Sequence, residues 1–487
     1  MKTGPVLRGW LHDVSPHRSC LPDPWRGERT GPAYGQLADG LRLLILDGRL
    51  PLDVVLPGER ELATALEVSR TTVTAALGRL RDDGFLDRRQ GAGARTRLPA
   101  GPGERGMTPI VAGAVGEGLL DMASAAPPAV EVMHQAYAAA LSALPAHLPQ
   151  HGYAPLGLPV LREAIAARYA ARGLPTSPDQ IMVTNGALHA LALMLRLTCG
   201  PGDRVVIDHP TYPHAIDAIQ RASCRPAPVG LPGEGWDVDG VAAALRQSGP
   251  RLAYFIADFQ NPTGRWMTPE ARAAIVEAAL RARTTVIFDE TLVDLWLDAP
   301  VQPYGLAEPD EGLVRLGSTG KSFWGGLRLG WIRADAQTIQ ALSLRRSSLD
   351  LGTPVLEQLA AVHLMANETP VLGARRALLR AQRDHLLGLV RQTLPDWKVA
   401  SPPGGLSLWA ELPAPVSTAM AATSERFGVR LAAGPRFGVD GAFERFLRLP
   451  YTLPADTLTE VVGRLAQAYA RLQPGSASAR AQMGAVV

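Results

Sequence analysis

The sequence predicts an α/β protein: a small helical head ending in a hairpin, then a large, mostly parallel sheet covered by helices. Three observations predict this. Apolar residues recur at helical spacing from Tyr34 to Leu80 and then give way to a short two-stranded pattern. Beyond residue 120, short β-rich runs alternate with helical stretches, the rhythm of strands joined by crossover helices. Between these regions residues 99–119 are rich in Gly and Pro with few anchoring apolars, which reads as a linker. At 487 residues the chain exceeds one ordinary domain.

The elements follow in order. Residues 1–31, rich in Pro, Arg and Gly without a period, read as a flexible extension. Tyr34, Leu37, Ala38, Leu41, Leu44 and Ile45 mark a first helix. After a turn with Pro51 and Pro57 comes a short helix in GERELATALEV, then a third in SRTTVTAALGRLRDDG. Ser69 is the expected N-cap of the third, with Val73, Leu77 and Leu80 on one face. Phe85 to Arg97 reads as two short strands around GAGA. Three helices and a hairpin within 32–98 suit a winged helix-turn-helix. In residues 120–475, β-rich runs stand at 181–184, 205–207, 252–257, 285–288 and 313–316. GGLSLWAELP through ERFLRLPYTL predicts a second sheet and so a small C-terminal α+β subdomain. Residues 476–487 read as a disordered tail.

Composition narrows the function. An apolar fraction of 46% is ample for a large core. No apolar run reaches the roughly 18 residues a bilayer span needs, so no membrane partner is expected. Cys20, Cys199 and Cys224 are widely spaced and form no CxxC pair, which argues for a reducing cytoplasm and against structural zinc. Residues 1–98 hold 15 basic and 12 acidic residues, whereas the remainder holds 34 of each. All the excess positive charge therefore lies in the head, the sign a nucleic-acid module carries.

Lysine is scarce: among 49 basic residues only Lys2, Lys321 and Lys398 are Lys. Arg replaces Lys wherever charge alone is needed, but a guanidinium cannot lose its proton to attack a carbonyl. Lys321, in GSTGKSFWGGLRLG between a strand-like run and a Gly-rich turn, is where a Schiff-base lysine would sit. The segment GSTGKS looks like a phosphate-binding P-loop, but the first glycine of that motif would fall on Arg315.

The polar residues of interest follow the strand-like runs: Gly186, Tyr212, Asn261, Asp289, and Ser318 to Lys321. Ligands of open α/β sheets bind outside the carboxyl ends of the strands, so five strand ends point at one crevice. Their chemistry suits pyridoxal 5′-phosphate (PLP). Lys321 can take its aldehyde. Asp289 can hold its pyridine nitrogen protonated. Asn261 of NPTG can donate to its phenolate oxygen. Gly186 and Ala187 of TNGA open a helix whose N–H groups favour a phosphate, with Ser318 and Arg328 completing the cup. Tyr212 of HPTYP can stack on the ring.

The motifs YAPLGLPVLREAIA, TNGA, NPTG, DET and SxxKxxxxxxR, in this order over roughly 120–470, resemble the fold-type I, aspartate aminotransferase-like PLP enzymes. That resemblance implies that Tyr153 reaches a partner subunit's cofactor and that Arg448 of FLRLPYTL binds an amino acid's α-carboxylate. One position departs from it. Relatives commonly carry a Tyr two or three residues after the pyridine Asp, donating to the phenolate oxygen, whereas Glu290, Thr291 and Leu292 stand here. Either Thr291 donates a weaker bond or the role rests on Asn261 alone.

The head segment LPGERELATALEVSRTTVTAALGRLRDDGFLDRRQGAGA resembles the GntR winged helix. The resemblance implies that Ser69, Arg70, Thr71 and Thr72 meet the major groove of double-stranded operator DNA and that Arg60 meets a phosphate or guanine. Gly91 and Gly93 would let the wing enter the minor groove beside Arg95. Ala94 stands where relatives often have Thr. The two parts together resemble the MocR subfamily of GntR regulators. That implies a homodimer, each winged helix packed on the other chain's large domain, with PLP or its adduct with an amino compound as the sensed ligand. A working aminotransferase with a DNA-binding accessory domain is the alternative.

Overall fold

The computed structural model describes residues 32–46, 50, 55–89, 92–97, 119–233, 235–300 and 312–472, which fall into two compact units. The extension, nearly all of the linker, the tail and the wing residue Gly91 lie outside the described residues.

The head contains α1 (Ala33–Leu46), α2 (Glu59–Ala65), α3 (Arg70–Asp82) and an antiparallel hairpin of β1 (Leu86–Arg89) and β2 (Ala92–Thr96). The Ser69 hydroxyl accepts the Thr72 N–H at 3.1 Å, starting α3 as the sequence predicts; such a cap contributes about 1 kcal/mol. Gly84, at φ 79°, reverses the chain after α3, and Phe85 N–H closes the end by donating to Leu80 O at 2.7 Å. Leu37, Leu41 and Ile45 of α1 bury against Leu62, Val73, Leu77, Leu80 and Leu86. The wing gains an unexpected edge: Val55 bridges to Arg95, and Leu56 N–H donates to Ala94 O at 2.8 Å.

The larger unit is built on a seven-stranded sheet. Its strands are β4 (Ile181–Thr184), β5 (Arg204–His209), β6 (Arg225–Gly230), β7 (Leu252–Phe255), β8 (Thr285–Asp289), β9 (Leu313–Ser318) and β10 (Gly330–Arg333). Their spatial order is β4-β10-β9-β8-β7-β5-β6. Only β10 runs antiparallel to its neighbours, so β4 to β9 all end on the same side. The five expected strands are present, and β6 and β10 are additional. The sequence hides β6 because RPAPVG carries two prolines, tolerated on an edge strand that pairs with β5 alone. A second sheet, in the order β11-β12-β14-β13-β3, joins β11 (Lys398–Val399), β12 (Ser407–Glu411), β13 (Val429–Ala433) and β14 (Phe446–Pro450) to β3 (Leu120–Met122). The expected C-terminal subdomain therefore recruits a strand from the domain's opening residues, β3 lying parallel to β13.

A buried charge cluster locks the sheet to its helices. Asp294 accepts from Arg168 of the helix Pro159–Ala171, from Arg172 at 2.7 Å and from Ser322, beside Lys321. Glu368, opening the helix Glu368–Thr393, accepts from Arg168 at 2.5 Å. Burial alone would raise the Asp294 carboxyl, but Arg168, Arg172 and the Ser322 hydroxyl overcome it and hold the group below the usual carboxylate range. Removing one partner of such a cluster strands the other charges, so Asp294→Asn should cost about 3–5 kcal/mol at neutral pH. A depressed carboxyl contributes stability above its unfolded pKa and loses it as pH falls. The gap between wild type and Asp294→Asn should therefore narrow below about pH 4, read by denaturant melts at a series of pH values.

Candidate functional site

The carboxyl ends of five strands carry the candidate residues. Gly186, at φ 100°, caps the helix Ala187–Thr198 after β4, so the helix's first N–H groups have no carbonyl one turn back. A Cβ on Gly186 would lie 3.1 Å from the Arg328 guanidinium, and a Cβ on Gly330 would lie 2.6 Å from the Gly186 carbonyl carbon. These two glycines let the backbone and a cation close on one small space. Arg328 donates to Asn185 O at 3.3 Å. Behind it, Asn185 N–H donates to His189 Nδ1 at 3.0 Å, while His189 Nε2 lies 2.9 Å from Asp350. That accepting Nδ1 places the imidazole proton on Nε2. Ser318 donates to Leu329 O at 3.2 Å and accepts from Gly320 N–H at 3.0 Å, shaping the turn before Lys321.

Lys321 follows β9 and donates to Ala125 O at 2.6 Å. Burial lowers its amine to about 8, with Arg448 and Arg328 adding to the effect and Asp289 opposing it. Arg448 of β14 is 4% exposed. It donates to Asn261 Oδ1 at 3.3 Å and to Ala123 O. Asn261 thus keeps its NH2 group for another acceptor. Tyr212, opening the helix Pro213–Arg221, has its phenol pushed up to about 12 by burial and by Asp289. The loops carrying Tyr212 and Asn261 are tied together: Gln260 donates to Pro210 O at 2.6 Å, and Asp208 accepts from Trp236 at 2.7 Å and Ile256 N–H at 2.9 Å.

The structure gathers Lys321, Asp289, Arg328, Arg448, Asn261 and Tyr212 into one site and sets Gly186 and Ala187 at its rim. It leaves Tyr153 outside this group. That residue is 61% exposed, and its ring stands 5.4 Å from His151. Three contributors, Ala123, Ala125 and Tyr254, lie outside the sequence motifs. The Ala123 and Ala125 carbonyls carry no signal in residue type. Tyr254, buried on β7, donates to Asp289 Oδ2 at 2.6 Å; in the sequence it is one more residue of an apolar strand. Thr291 turns back to Asp289, donating its N–H to Oδ1 at 2.9 Å and its hydroxyl to the same oxygen.

In the head, Arg60, Ser69, Arg70 and Thr71 are exposed and Thr72 is half-buried. The Ser69 hydroxyl sits 2.7 Å from those of Thr71 and Thr72, so it serves the cap as well as the surface. Arg70 lies 3.5 Å from Glu59, which also accepts from Thr74 at 2.9 Å. Gly93 lies in β2, as does Arg95, half-buried opposite Asp87.

Residues 120–465 match the model of the aminotransferase class I and II family. The chain belongs to that family. Residues 33–95 match the gntR family of bacterial regulatory proteins. The HTH-type transcriptional regulator YdcR of Escherichia coli is 30% identical over 60% of this chain and 64% of that protein. YisV of Bacillus subtilis, also named as an HTH-type transcriptional regulator, is 26% identical over 88% of this chain and 94% of its own length. Among solved structures, LysN, the alpha-aminoadipate aminotransferase of Thermus thermophilus, was crystallised with N-(5′-phosphopyridoxyl)-L-leucine. It aligns with a TM-score of 0.64 and 26% identity, over 72% of this chain and 92% of that one. A GntR head followed by an aminotransferase class I and II domain, in a chain with regulator relatives, fits the MocR-like subfamily.

An amine attacks a carbonyl only when neutral. The rate at which apo-protein captures PLP should therefore rise about tenfold per pH unit below 8 and level off above it. Stopped-flow absorption measures this directly. Lys321→Arg should remove the visible absorption that PLP gains on joining the lysine amine and leave the melting transition in place.

Proposed function

We propose that this chain is a PLP-dependent, DNA-binding transcription regulator whose aminotransferase-like domain senses PLP or an amino compound. The observation that supports it best is the union, in one chain, of a GntR head with a site where Lys321, Asp289 and Arg448 converge. The residues fit PLP. Among the described residues, the Lys321 amine feels two further cations, Arg448 and Arg328, and one carboxylate, Asp289, an excess of positive charge that a phosphate and a carboxylate would balance. The glycine cradle leaves the helix N-terminus open to an anion.

When bound, the cofactor supplies an electrophilic aldehyde and an electron-withdrawing ring. Lys321 provides the amine for the aldehyde, Asp289 faces the ring nitrogen and the Asn261 NH2 meets the phenolate oxygen. Gly186, Ala187, Ser318 and Arg328 hold the phosphate, and Tyr212 covers the ring. Arg448 grips the carboxylate of an incoming amino compound. To do so it must loosen its hold on Ala123 O, and Lys321 likewise its hold on Ala125 O. Residues 123–125 follow β3, and β3 follows the linker to the head. The site thus reports to the DNA-reading end through the strand on which the linker ends. The chain acts in the cytoplasm as a homodimer on operator DNA, with Arg60, Arg70, Thr71 and the wing making the contacts and Tyr153 reaching the partner's site.

Effector coupling of this kind is worth about 1–3 kcal/mol, so the effector should change operator affinity roughly 5–150-fold in wild type. Lys321→Ala should bind operator with one affinity whether or not PLP and amines are present. A gel-shift titration tests both, and an effector response that survives in Lys321→Ala would reject the reading. The likeness to LysN supports a second reading, a working aminotransferase. Sustained turnover of an amino donor and a keto acid by the full chain would favour it, and a single half-reaction would favour the sensor.

A further inference from the structure

Both oxygens of the Asp289 carboxylate are engaged by the chain itself. Tyr254 donates to Oδ2 at 2.6 Å, and Thr291 donates to Oδ1 through its N–H at 2.9 Å and through its hydroxyl. The groups are enclosed, Tyr254 being 1% and Asp289 7% exposed. The register explains the reach. Tyr254 of β7 pairs with Ile287 of β8, so Asp289 is its diagonal neighbour on the same face of the sheet, within range of a phenol.

We propose that Tyr254 and Thr291 form a clamp that orients Asp289 toward the ring nitrogen of PLP, and that this is Thr291's task in place of donation to the phenolate oxygen. The inference rests on the reading that the site binds PLP. A carboxylate offers about four acceptor directions, and three are taken here. One direction is left for a single N–H donor. Without the clamp the carboxylate would be free to turn to the cations near it, Lys321 after β9, Arg328 before β10 and Arg448 on β14; Tyr212 stands by the same carboxylate, and Asp208 acts on Tyr254. Pairing with Lys321 would hold that amine protonated and keep it from the aldehyde. The clamp keeps carboxylate and amine at separate tasks. The phenolate oxygen is then left to the NH2 of Asn261, whose Oδ1 is already taken by Arg448.

The test uses the full chain and three variants, Tyr254→Phe, Thr291→Val and Thr291→Ser. Each is titrated with PLP by absorption and protein fluorescence, and the pH midpoint of the visible band is measured alongside the melting of the apo-protein. Hydrogen bonds to a charged group are strong enough that Tyr254→Phe and Thr291→Val should each weaken PLP binding by about tenfold or more. Both should move the midpoint upward, because a carboxylate with fewer donors attracts a nearby cation more strongly. Thr291→Ser, which keeps the hydroxyl, should match wild type in affinity and midpoint. Wild-type affinity and midpoint in Tyr254→Phe and Thr291→Val would overturn the clamp while leaving the PLP reading intact. Equal weakening in Thr291→Ser and Thr291→Val would also overturn it, since packing rather than the hydroxyl would then matter. Absence of PLP binding by wild type would overturn the reading and the clamp together.

Discussion

The site depends on an imbalance of charge. Among the described residues, the charged side chains that act on the Lys321 amine are Arg448, Arg328 and one carboxylate, Asp289. Gathering like charges is unfavourable, and burying them without partners more so. The chain limits that cost by lending backbone carbonyls, Ala123 to buried Arg448 and Ala125 to Lys321, while Arg328, an exposed residue, donates to Asn185 O. A carbonyl satisfies a donor without cancelling its charge. The positive potential therefore survives and remains available to an anionic ligand, and burial can still push the Lys321 amine toward neutrality.

The tripeptide DET at the end of β8 shows how neighbouring residues serve opposite ends of this arrangement. Successive side chains on a strand face opposite sides of the sheet. Asp289 turns into the site, whereas Glu290 turns away and meets Arg315 at 3.0 Å and the Tyr169 hydroxyl at 3.0 Å. Trp331 of β10 donates to Tyr169 in turn at 3.0 Å. Burial raises the Glu290 carboxyl, and Arg315 works against that shift. This network and the Asp294 cluster grip β8, β9, β10 and the turn after Lys321 from behind. The amine and the carboxylate are therefore presented from a rigid floor, which pre-organised chemistry and ligand sensing both require.

Much of this was legible in the sequence, for identifiable reasons. Strands β4, β5, β7, β8 and β9 are short apolar runs in the larger unit's interior, so their composition announces them. The strand-end residues Gly186, Tyr212, Asn261, Asp289 and Lys321 were legible because each stands at, or within six positions beyond, the end of such a strand, where an open α/β sheet binds its ligands. Strand β6 was hidden by Pro226 and Pro228, and β10 by the Gly-rich turn it adjoins. Strand β3 has three residues and finds its partner about 300 positions away, a pairing no local pattern encodes. Tyr254 was hidden in another way. In LAYFIA it reads as one more apolar strand residue, and only its diagonal relation to Asp289 gives the phenol a polar task. The expectation that Thr291 or Asn261 alone stands in for the usual Tyr is narrowed by the geometry, since Thr291 is turned to Asp289.

That narrowing bears on whether such a site is built to react or to report. On the PLP reading, one Asn amide serves the phenolate oxygen with its nitrogen and Arg448 with its oxygen. Any carboxylate drawn to Arg448 then pulls on the same Asn261 that tunes the ring, and also releases Ala123. On that reading, ligand binding, cofactor electronics and the position of residues 123–125 would be coupled through Arg448. A sensor gains from joining them, because the free energy of one small ligand must be felt along the chain that leads to the DNA-reading head. The shared Asn261 offers a route for such coupling, and the GntR head joined to this site is what favours sensing.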